Sequence, residues 1–112
     1  MPRPLKRKRR VEFPIIKYLL ETGMNIENKV AIVTGGSRDI GRAVSETLAA
    51  NGAKVAFTWL NSAEDGEATL AAIQSNGGTA ISVRGDMTDS ADVENLIDRT
   101  RNEFGDSIDI LV

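Results

Sequence analysis

Apolar residues occur along this chain in short blocks whose spacing changes from one block to the next. Residues 30–33 are apolar without interruption, as in a strand that is covered on both faces of a parallel sheet. Residues 38–51 have apolar positions at helical spacing, and residues 54–59 form a strand-like block with an apolar middle. A strand, a helix that stops at Gly52 and a second strand are therefore predicted. The residues expected to share the buried face of the helix are Ile40, Ala43, Val44, Thr47 and Leu48.

A second helix and a third strand are predicted after residue 60. Ser62, followed three residues later by Asp65, is typical of a helix N-terminus, and Gly77-Gly78 marks the end of this helix. We expect its Ala-rich face to lie close against the sheet, and nothing in it indicates chemistry. Residues 79–84 then alternate between apolar and polar positions and predict the third strand.

A third helix and the beginning of a fourth strand follow. Asp89 is expected to cap this helix, with Asp92 in the first turn, where the helix dipole favours an acid. Gly105 ends the helix, and an apolar strand begins at Ile108. This alternation of strands and helices predicts the α/β class with a parallel sheet. The residues expected to be buried on the third helix are Val93, Leu96, Ile97, Thr100 and Phe104.

Composition excludes several kinds of site. The 112 residues include no cysteine and no histidine, so disulfides, Cys or His metal ligands and a histidine general base are excluded. No metal is expected, no stretch approaches the length of a membrane span, and the lack of cysteine fits a reducing, cytoplasmic location. Six of the 14 basic residues lie within residues 3–10, which leaves eight against 16 acidic residues, a net charge of −8 for residues 11–112. This acidic body is not expected to bind nucleic acid.

Residues 1–23 differ from the rest of the chain. Their basic run could be a nuclear-localisation or nucleic-acid patch, and a basic, acid-poor start is also compatible with mitochondrial targeting. We favour a plainer hypothesis, in which they are a disordered leader or upstream read-through and Met24 is the natural start. Residues 24–112 are then expected to form the domain.

A glycine-rich segment joins the first strand to the first helix and reads Thr34-Gly35-Gly36-Ser37-Arg38-Asp39-Ile40-Gly41. Such a turn directs backbone N–H groups and a helix N-terminus at an anionic phosphate. The fingerprint G-x-G-x-x-G is absent. The nucleotide P-loop is nearly matched, but Arg42 and Ala43 replace its Lys and its Ser or Thr, so the magnesium ligand is missing. An ATPase or GTPase is therefore not favoured.

The segment resembles the T-G-x-x-x-G-x-G loop of the short-chain dehydrogenase/reductase family, except that Asp39 replaces the middle glycine. By the resemblance, Gly35 makes the tight turn and Gly41 permits close contact between helix and strand. We expect Asp39 to face solvent and cap the first turn, although an inward carboxylate would repel phosphate. The resemblance implies a Rossmann-like doubly wound parallel sheet, and residues 24–112 are expected to be a truncated NAD(P)-binding domain, the N-terminal half with about four strands and three helices.

The resemblance also implies a dinucleotide cofactor, and the end of the second strand bears on its identity. NAD sites usually place an acid there to hold the ribose 2′-OH, whereas this chain has Thr58 and Trp59 and no acid before Glu64. The 2′-phosphate of NADP would meet no fixed negative charge, and Arg38 can offer it a bidentate guanidinium. NADP(H) is therefore favoured over NAD(H). Trp59 either covers the adenine or closes the sheet edge.

Gly85-Asp86-Met87-Thr88 matches the end of the family's third strand, where the aspartate accepts a hydrogen bond from the adenine amino group. A carboxylate at the carboxyl end of a parallel strand faces the nucleotide crevice and can select a base that bears a donor. The alternative is an ordinary turn aspartate. The residues predicted to bind the cofactor are Thr34, Gly35, Ser37, Arg38, Asp39, Ile40, Gly41, Thr58, Trp59, Asp86 and Met87.

The family's catalytic residues have no counterpart in this sequence. The Asn-Ala-Gly segment is absent, and the one tyrosine, Tyr18, has no lysine four positions later to make a Tyr-x-x-x-Lys pair. The resemblance, which is to members of the 3-oxoacyl carrier-protein reductase type, implies NADPH-linked reduction of a ketone by a longer, homo-oligomeric parent. The 112 residues alone are expected to be inactive. The alternatives are a non-catalytic NADP(H)-binding or interaction module and an inert gene fragment.

Overall fold

The computed structural model describes residues 25–112, so the hypotheses for residues 1–23 lie outside the described residues. Within that range every strand is followed along the chain by a helix until the last strand. The elements are β1 (Val30–Val33), α1 (Asp39–Ala50), β2 (Lys54–Trp59), α2 (Ala63–Ser75), β3 (Thr79–Arg84), α3 (Ser90–Phe104) and β4 (Ile110–Leu111).

The sheet is parallel throughout, with the strand order β3-β2-β1-β4. The chain builds outward from β1 to β3 and then places β4 on the other side of β1. One core cluster joins α1 and α2 to one face of the sheet, and a second joins α3 to the opposite face. This is the predicted half of a doubly wound sheet. In such sheets ligands bind at the carboxyl ends of the strands where the strand order reverses, which here is between β1 and β4.

Burial on both faces explains the continuous apolar run of β1, whose four residues are all buried. Ala31 and Val33 belong to the cluster under α1 and α2, whereas Ile32 belongs to the cluster under α3. Phe57 of β2 is completely buried beside Val33 in the first cluster. The first three strands occupy the predicted residues, because period and length both distinguish a doubly covered strand from a helix here.

The fourth strand is shorter than predicted. It was expected to begin at Ile108 but comprises only Ile110–Leu111. The reason is a side chain that enters the ladder, since the Asp109 carboxylate accepts the backbone N–H of Val30 at 2.9 Å. The Asp109 N–H in turn donates to the Val30 carbonyl at 2.8 Å. Regular strand pairing therefore begins only at Ala31 and Ile110.

The first helix departs from its predicted face at one position. Val44 and Leu48 are buried as expected, but the Ile40 side chain is 68% exposed. Helix α1 begins at Asp39, so Ile40 lies in the first turn, at the carboxyl end of the sheet where the strands stop. Helical spacing identifies a face of a helix, but it does not show where the supporting strands end.

The second helix packs through a face other than the predicted one. Its N-terminus is as expected, because the Ser62 hydroxyl accepts the Asp65 N–H at 3.1 Å. Two of its alanines, however, do not pack against the sheet: Ala68 and Ala71 are exposed. The buried positions are Gly66, Thr69 and Ile73. Their spacing of three and four residues defines one face, and Ala68 and Ala71 fall outside it.

The third helix is only partly covered. Leu96 and Thr100 are buried as predicted, but Val93, Ile97 and Phe104 are half-buried. The helix packs over β2, and the edge strand β4 has only two residues and no further strand beside it among residues 25–112. Capping is as predicted, since the Asp89 carboxylate accepts the N–H groups of the first turn.

Burial predicts a large loss of stability for one apolar truncation in helix α1 and almost none for another. Leu48→Ala should lower the free energy of unfolding by about 2–5 kcal/mol, because it empties a fully packed position. Ile40→Ala should change it by less than about 0.5 kcal/mol, because Ile40 is exposed. Urea unfolding followed by Trp59 fluorescence measures both. Equal losses for the two variants would show that Ile40 is a core residue after all.

Candidate functional site

The segment between β1 and α1 turns so tightly that two of its positions require glycine. Gly35 has a φ of +64°, a left-handed conformation that costs a residue with a Cβ atom about 1–2 kcal/mol. At Gly41 the conformation is ordinary but space is lacking, because a Cβ atom would lie 1.9 Å from the Gly35 carbonyl oxygen. Both positions therefore have the geometry that the resemblance implied. We call residues 34–41 the phosphate loop.

Thr58 holds the first part of the phosphate loop from beneath. The Thr58 hydroxyl accepts the Gly35 N–H at 2.8 Å, and the Thr58 carbonyl accepts the Gly36 N–H at 2.9 Å. Thr58 is only 1% exposed. Its buried side chain supports the loop, and the cofactor contact expected of Thr58 stays a prediction.

Two buried hydroxyls hold the loop's next carbonyls. The Ser45 hydroxyl lies 3.1 Å from the Gly36 oxygen and 2.9 Å from the Gly41 oxygen. The Thr69 hydroxyl donates to the Ser37 oxygen at 2.9 Å. Neither Ser45 nor Thr69 is exposed to solvent. In a planar trans peptide the carbonyl and the following N–H point in opposite directions. The N–H groups of Ser37 and Arg38 are therefore turned away from these hydroxyls.

Sequence reasoning missed both hydroxyls. The available signal was weak, because it consisted of a small polar residue at a position where helical spacing predicts burial. Ser45 and Thr69 are such positions in α1 and α2. A buried hydroxyl needs a partner, but the sequence does not show that the partner is a loop carbonyl.

The N-terminus of α1 is left open to an anion. Arg38 occupies the N-cap position and makes no side-chain cap hydrogen bond, so among residues 25–112 the first-turn N–H groups have no capping side chain. Asp39 is exposed and has a φ of +52°. Contrary to the prediction, its side chain does not cap the helix, because the helix begins at Asp39 itself. Aspartate tolerates left-handed backbone better than most residues, so Asp39 adopts a conformation that favours glycine.

The charge around Arg38 differs from expectation. Its guanidinium is 66% exposed, and Nε lies 3.9 Å from the Asp65 carboxylate, which is 39% exposed. The prediction that a 2′-phosphate would meet no fixed negative charge was wrong, because the first turn of α2 brings Asp65 to the side chain that was expected to bind the phosphate.

Trp59 packs at the end of β2 against two neighbouring elements. A Cβ atom at Gly66 would lie 2.6 Å from the Trp59 ring, so the first turn of α2 is close to the indole. The Arg84 guanidinium lies 5.9 Å from the ring centre, within cation–π distance. These contacts hold the indole in place, and closure of the sheet edge by Trp59 remains a prediction. Adenine contact remains a prediction.

Asp86 is held by the residues that follow it. Its Oδ1 accepts the hydroxyl of Thr88 at 2.7 Å and the N–H of Thr88 at 2.9 Å. These two hydrogen bonds, the hydroxyl first, hold the pKa of the Asp86 carboxyl below its usual range. The Asp86 N–H donates to Asp92 at 2.8 Å, a link that the sequence did not indicate. Met87 packs in the α3 cluster. The Asp86 side chain is therefore ionised and held in place at the end of β3.

The predicted site residues lie along one edge of the sheet. Parallel strands end at the same edge, so residues 34–41 after β1, residues 58–59 at the end of β2 and residues 86–87 after β3 lie side by side. The Thr34 hydroxyl donates to the carbonyl of Val112, the residue after β4, at 3.1 Å. Ile40 is exposed beside the loop, and Ser37 is nearly buried. Within residues 25–112 we find no cluster of acidic side chains suited to a metal, and no helix there is long and apolar enough to cross a membrane.

Comparison with protein families agrees with this geometry. The family model described as short chain dehydrogenase matches residues 29–112. The short-chain dehydrogenase/reductase homolog YusS of Bacillus subtilis (strain 168) is 42% identical over 89 residues, which cover 80% of this chain and 81% of that protein. The 3-oxoacyl-[acyl-carrier-protein] reductase FabG of Escherichia coli (strain K12) is 44% identical over 89 residues, 80% of this chain but 34% of the reductase.

Solved structures show the same architecture. A short chain dehydrogenase from Burkholderia cenocepacia J2315, solved in complex with NADP, is 45% identical with a TM-score of 0.72, over 78% of this chain and 35% of that one. A dehydrogenase/reductase from Sinorhizobium meliloti 1021 has a TM-score of 0.75 at 39% identity, over 85% and 37% of the two chains. The chain thus spans about a third of the length of these enzymes.

The hydrogen bonds at Asp86 predict a measurable pKa. Thr88→Val should raise the pKa of Asp86 toward its ordinary value, because the hydroxyl is the larger cause of the lowering. Since the folded pKa lies below the unfolded one, these bonds stabilise the fold above the unfolded pKa, and this contribution is lost as pH falls through the folded pKa. A carbon-13 NMR titration of the carboxyl measures the shift. Thr79→Val, at an exposed position at the start of β3, is the control; an unchanged pKa in Thr88→Val would exclude the hydroxyl as the cause.

Proposed function

The chain belongs to the short-chain dehydrogenase family, and from that premise we propose that it binds a nicotinamide dinucleotide as the cofactor-binding part of an NAD(P)-dependent oxidoreductase. The observation that carries the proposal is the phosphate loop. The carbonyls of Gly36 and Ser37 are held by buried hydroxyls, and the α1 N-terminus beyond them is uncapped. An arrangement that turns N–H groups outward at a helix N-terminus fits the pyrophosphate of a dinucleotide.

The residues at the sheet edge fit a dinucleotide in order along the sheet. We propose that the phosphate loop binds the pyrophosphate, that the end of β2 lies beside the adenosine ribose, and that Asp86 accepts a hydrogen bond from the adenine amino group. The Asp86 carboxylate is ionised, and only its Oδ1 is engaged by described residues, which leaves Oδ2 able to accept. When bound, the nicotinamide would supply hydride transfer. Residues 25–112 contribute the adenosine side of this site.

We propose NADP(H) as the preferred cofactor because of Arg38. Its guanidinium is exposed at the loop, where it can form a bidentate pair with a 2′-phosphate. The Burkholderia relative, solved with NADP, supports this preference. Asp65 opposes the preference, because its carboxylate lies beside the same guanidinium. The preference should therefore be moderate.

For the activity of the longer protein, we propose NADPH-linked reduction of a ketone, as the name of the FabG relative suggests. Residues 24–112 would then be a truncated cofactor domain acting in the cytoplasm within a homo-oligomer. The 112 residues contain no Tyr-x-x-x-Lys pair, so we expect them to be inactive alone. A second candidate, a non-catalytic NADP(H)-binding module, is favoured by the Bacillus relative YusS, 81% of which this chain covers.

Cofactor preference gives the first test of the proposal. The chain should bind NADPH more tightly than NADH, which Trp59 fluorescence can follow because it is the one tryptophan. Arg38→Glu should weaken NADPH roughly tenfold or more and NADH much less, because only NADPH carries the 2′-phosphate. An equal loss for both cofactors would contradict the 2′-phosphate role of Arg38. Absence of binding to either cofactor by the folded wild-type chain would contradict the proposal itself.

The aspartate in place of the family's glycine gives a second test. Asp39→Asn removes the charge but keeps a side chain that tolerates φ near +52°. It should raise the affinity for both cofactors by roughly threefold to tenfold, because both carry the pyrophosphate. Asp39→Gly should raise it to a similar extent, since it removes the same charge. Titration calorimetry measures both variants. Unchanged affinity in Asp39→Asn would show that the carboxylate stays away from the phosphates.

A further inference from the structure

Helix α2 contacts the phosphate loop through two residues one turn apart. Nothing in its sequence had indicated a role in function. Thr69 donates to the carbonyl of Ser37 at 2.9 Å, and Asp65 lies 3.9 Å from the guanidinium of Arg38. Residues four apart share a helix face, so one face of α2 meets two consecutive loop residues. We propose that this face sets both the affinity and the cofactor preference of the loop. The inference rests on the proposed function, in which the loop binds a dinucleotide.

The bond from Thr69 is not the usual way in which a helical threonine satisfies its hydroxyl. Buried threonines in helices commonly bond to the carbonyl four residues earlier. Thr100 does so, donating to Leu96 at 2.7 Å. Thr69 instead reaches a carbonyl 32 residues away in the chain. Its hydroxyl is thus used to hold the loop rather than to satisfy itself within the helix.

Holding the Ser37 carbonyl has a direct consequence for anion binding. The Ser37–Arg38 peptide is planar, so a carbonyl fixed toward α2 directs the Arg38 N–H to the opposite side. Donors that are already oriented when the ligand arrives need not be ordered on binding, which raises affinity. Thr69 therefore acts as a positioning residue for a group that both NAD(H) and NADP(H) would engage.

Asp65 acts on a different part of the ligand. A 2′-phosphate must approach Arg38 against the Asp65 carboxylate, whereas a 2′-hydroxyl carries no charge and is not repelled. The Arg38 side chain is largely exposed and the Asp65 side chain is partly exposed, so the repulsion is screened and its effect is modest. Asp65 should thus lower the preference for NADP(H) without changing the affinity for NAD(H).

The position of α2 relative to the loop is fixed by packing. Gly66 leaves room for Trp59, whose ring would lie 2.6 Å from a Cβ atom at this position. Ile73, on the same face two turns after Asp65, is 2% exposed in the core under α1 and α2. Thr69 lies between Gly66 and Ile73 and is fully buried. The face is therefore held rigidly enough to orient a single peptide group.

The first experiment compares two isosteric changes at buried threonines of the full chain. Thr69→Val should weaken NADPH and NADH equally, by roughly fivefold to tenfold, the size of one lost hydrogen bond. Thr100→Val, which removes a hydroxyl bonded within α3, should bind both cofactors like the wild type. Thr69→Ser, which keeps the hydroxyl, should restore most of the affinity. Titrations are made at a temperature at which thermal unfolding curves show all variants to be fully folded. Equal affinities for Thr69→Val and Thr100→Val would overturn the role of Thr69.

The second experiment compares two charge removals in the first turn of α2. Asp65→Asn should strengthen NADPH binding by roughly threefold to tenfold and leave NADH unchanged. Glu64→Gln, the matched control one residue earlier on an exposed side chain, should change neither by more than about twofold. An equal change for both cofactors in Asp65→Asn, or weaker NADPH binding, would overturn the role of Asp65. If neither the wild type nor the Thr100→Val variant binds a dinucleotide, the proposed function fails; if they bind and these contrasts are absent, only this inference fails.

Discussion

The candidate site depends on how the backbone polar groups of the phosphate loop are divided between the interior and the open side. A glycine-rich loop has few side chains with which to satisfy its own peptides, so neighbouring elements must do it. Thr58 takes two N–H groups inward, and Ser45 and Thr69 take carbonyls inward. Because each peptide is planar, every carbonyl held inward leaves the next N–H facing away. Binding capacity at the loop therefore originates in two buried hydroxyls, those of Ser45 on α1 and Thr69 on α2.

This division explains which parts of the structure could be predicted from the sequence. The strands and helices followed from apolar spacing, and Gly35 and Gly41 followed from a local motif, because each of these signals lies within a few consecutive residues. The supporting hydroxyls could not be predicted, because Thr69 meets Ser37 across 32 residues. The same limit applies to Asp65, whose approach to the loop depends on how α2 packs. The spacing of residues along the chain predicts a strand or a helix, whereas the site depends on contacts between such elements.

Electrostatics at the loop are less favourable to an anion than the backbone is. Asp39 places a carboxylate at the first helical position, with a left-handed φ that glycine would adopt more easily. Asp65 places another beside Arg38, the basic side chain of the loop. The Asp39 carboxylate also suits the positive end of the α1 dipole when no ligand is bound. Stability of the free chain and affinity for a phosphate thus make opposite demands on Asp39, as is common where local rules are broken at functional sites.

The effects of Thr69 and Asp65, both on α2, can be separated for a geometric reason. Under the proposed function, Thr69 acts on a backbone N–H that would face the phosphates common to every nicotinamide dinucleotide, whereas Asp65 acts on a side chain that would face only the 2′ position. The first contact is buried and insensitive to salt, and the second is exposed and screened. Changes at Asp65 can therefore alter cofactor preference without disturbing the loop, while changes at Thr69 alter affinity without altering preference. One helix face that carries no predicted ligand contact would in this way supply two independent controls on cofactor binding.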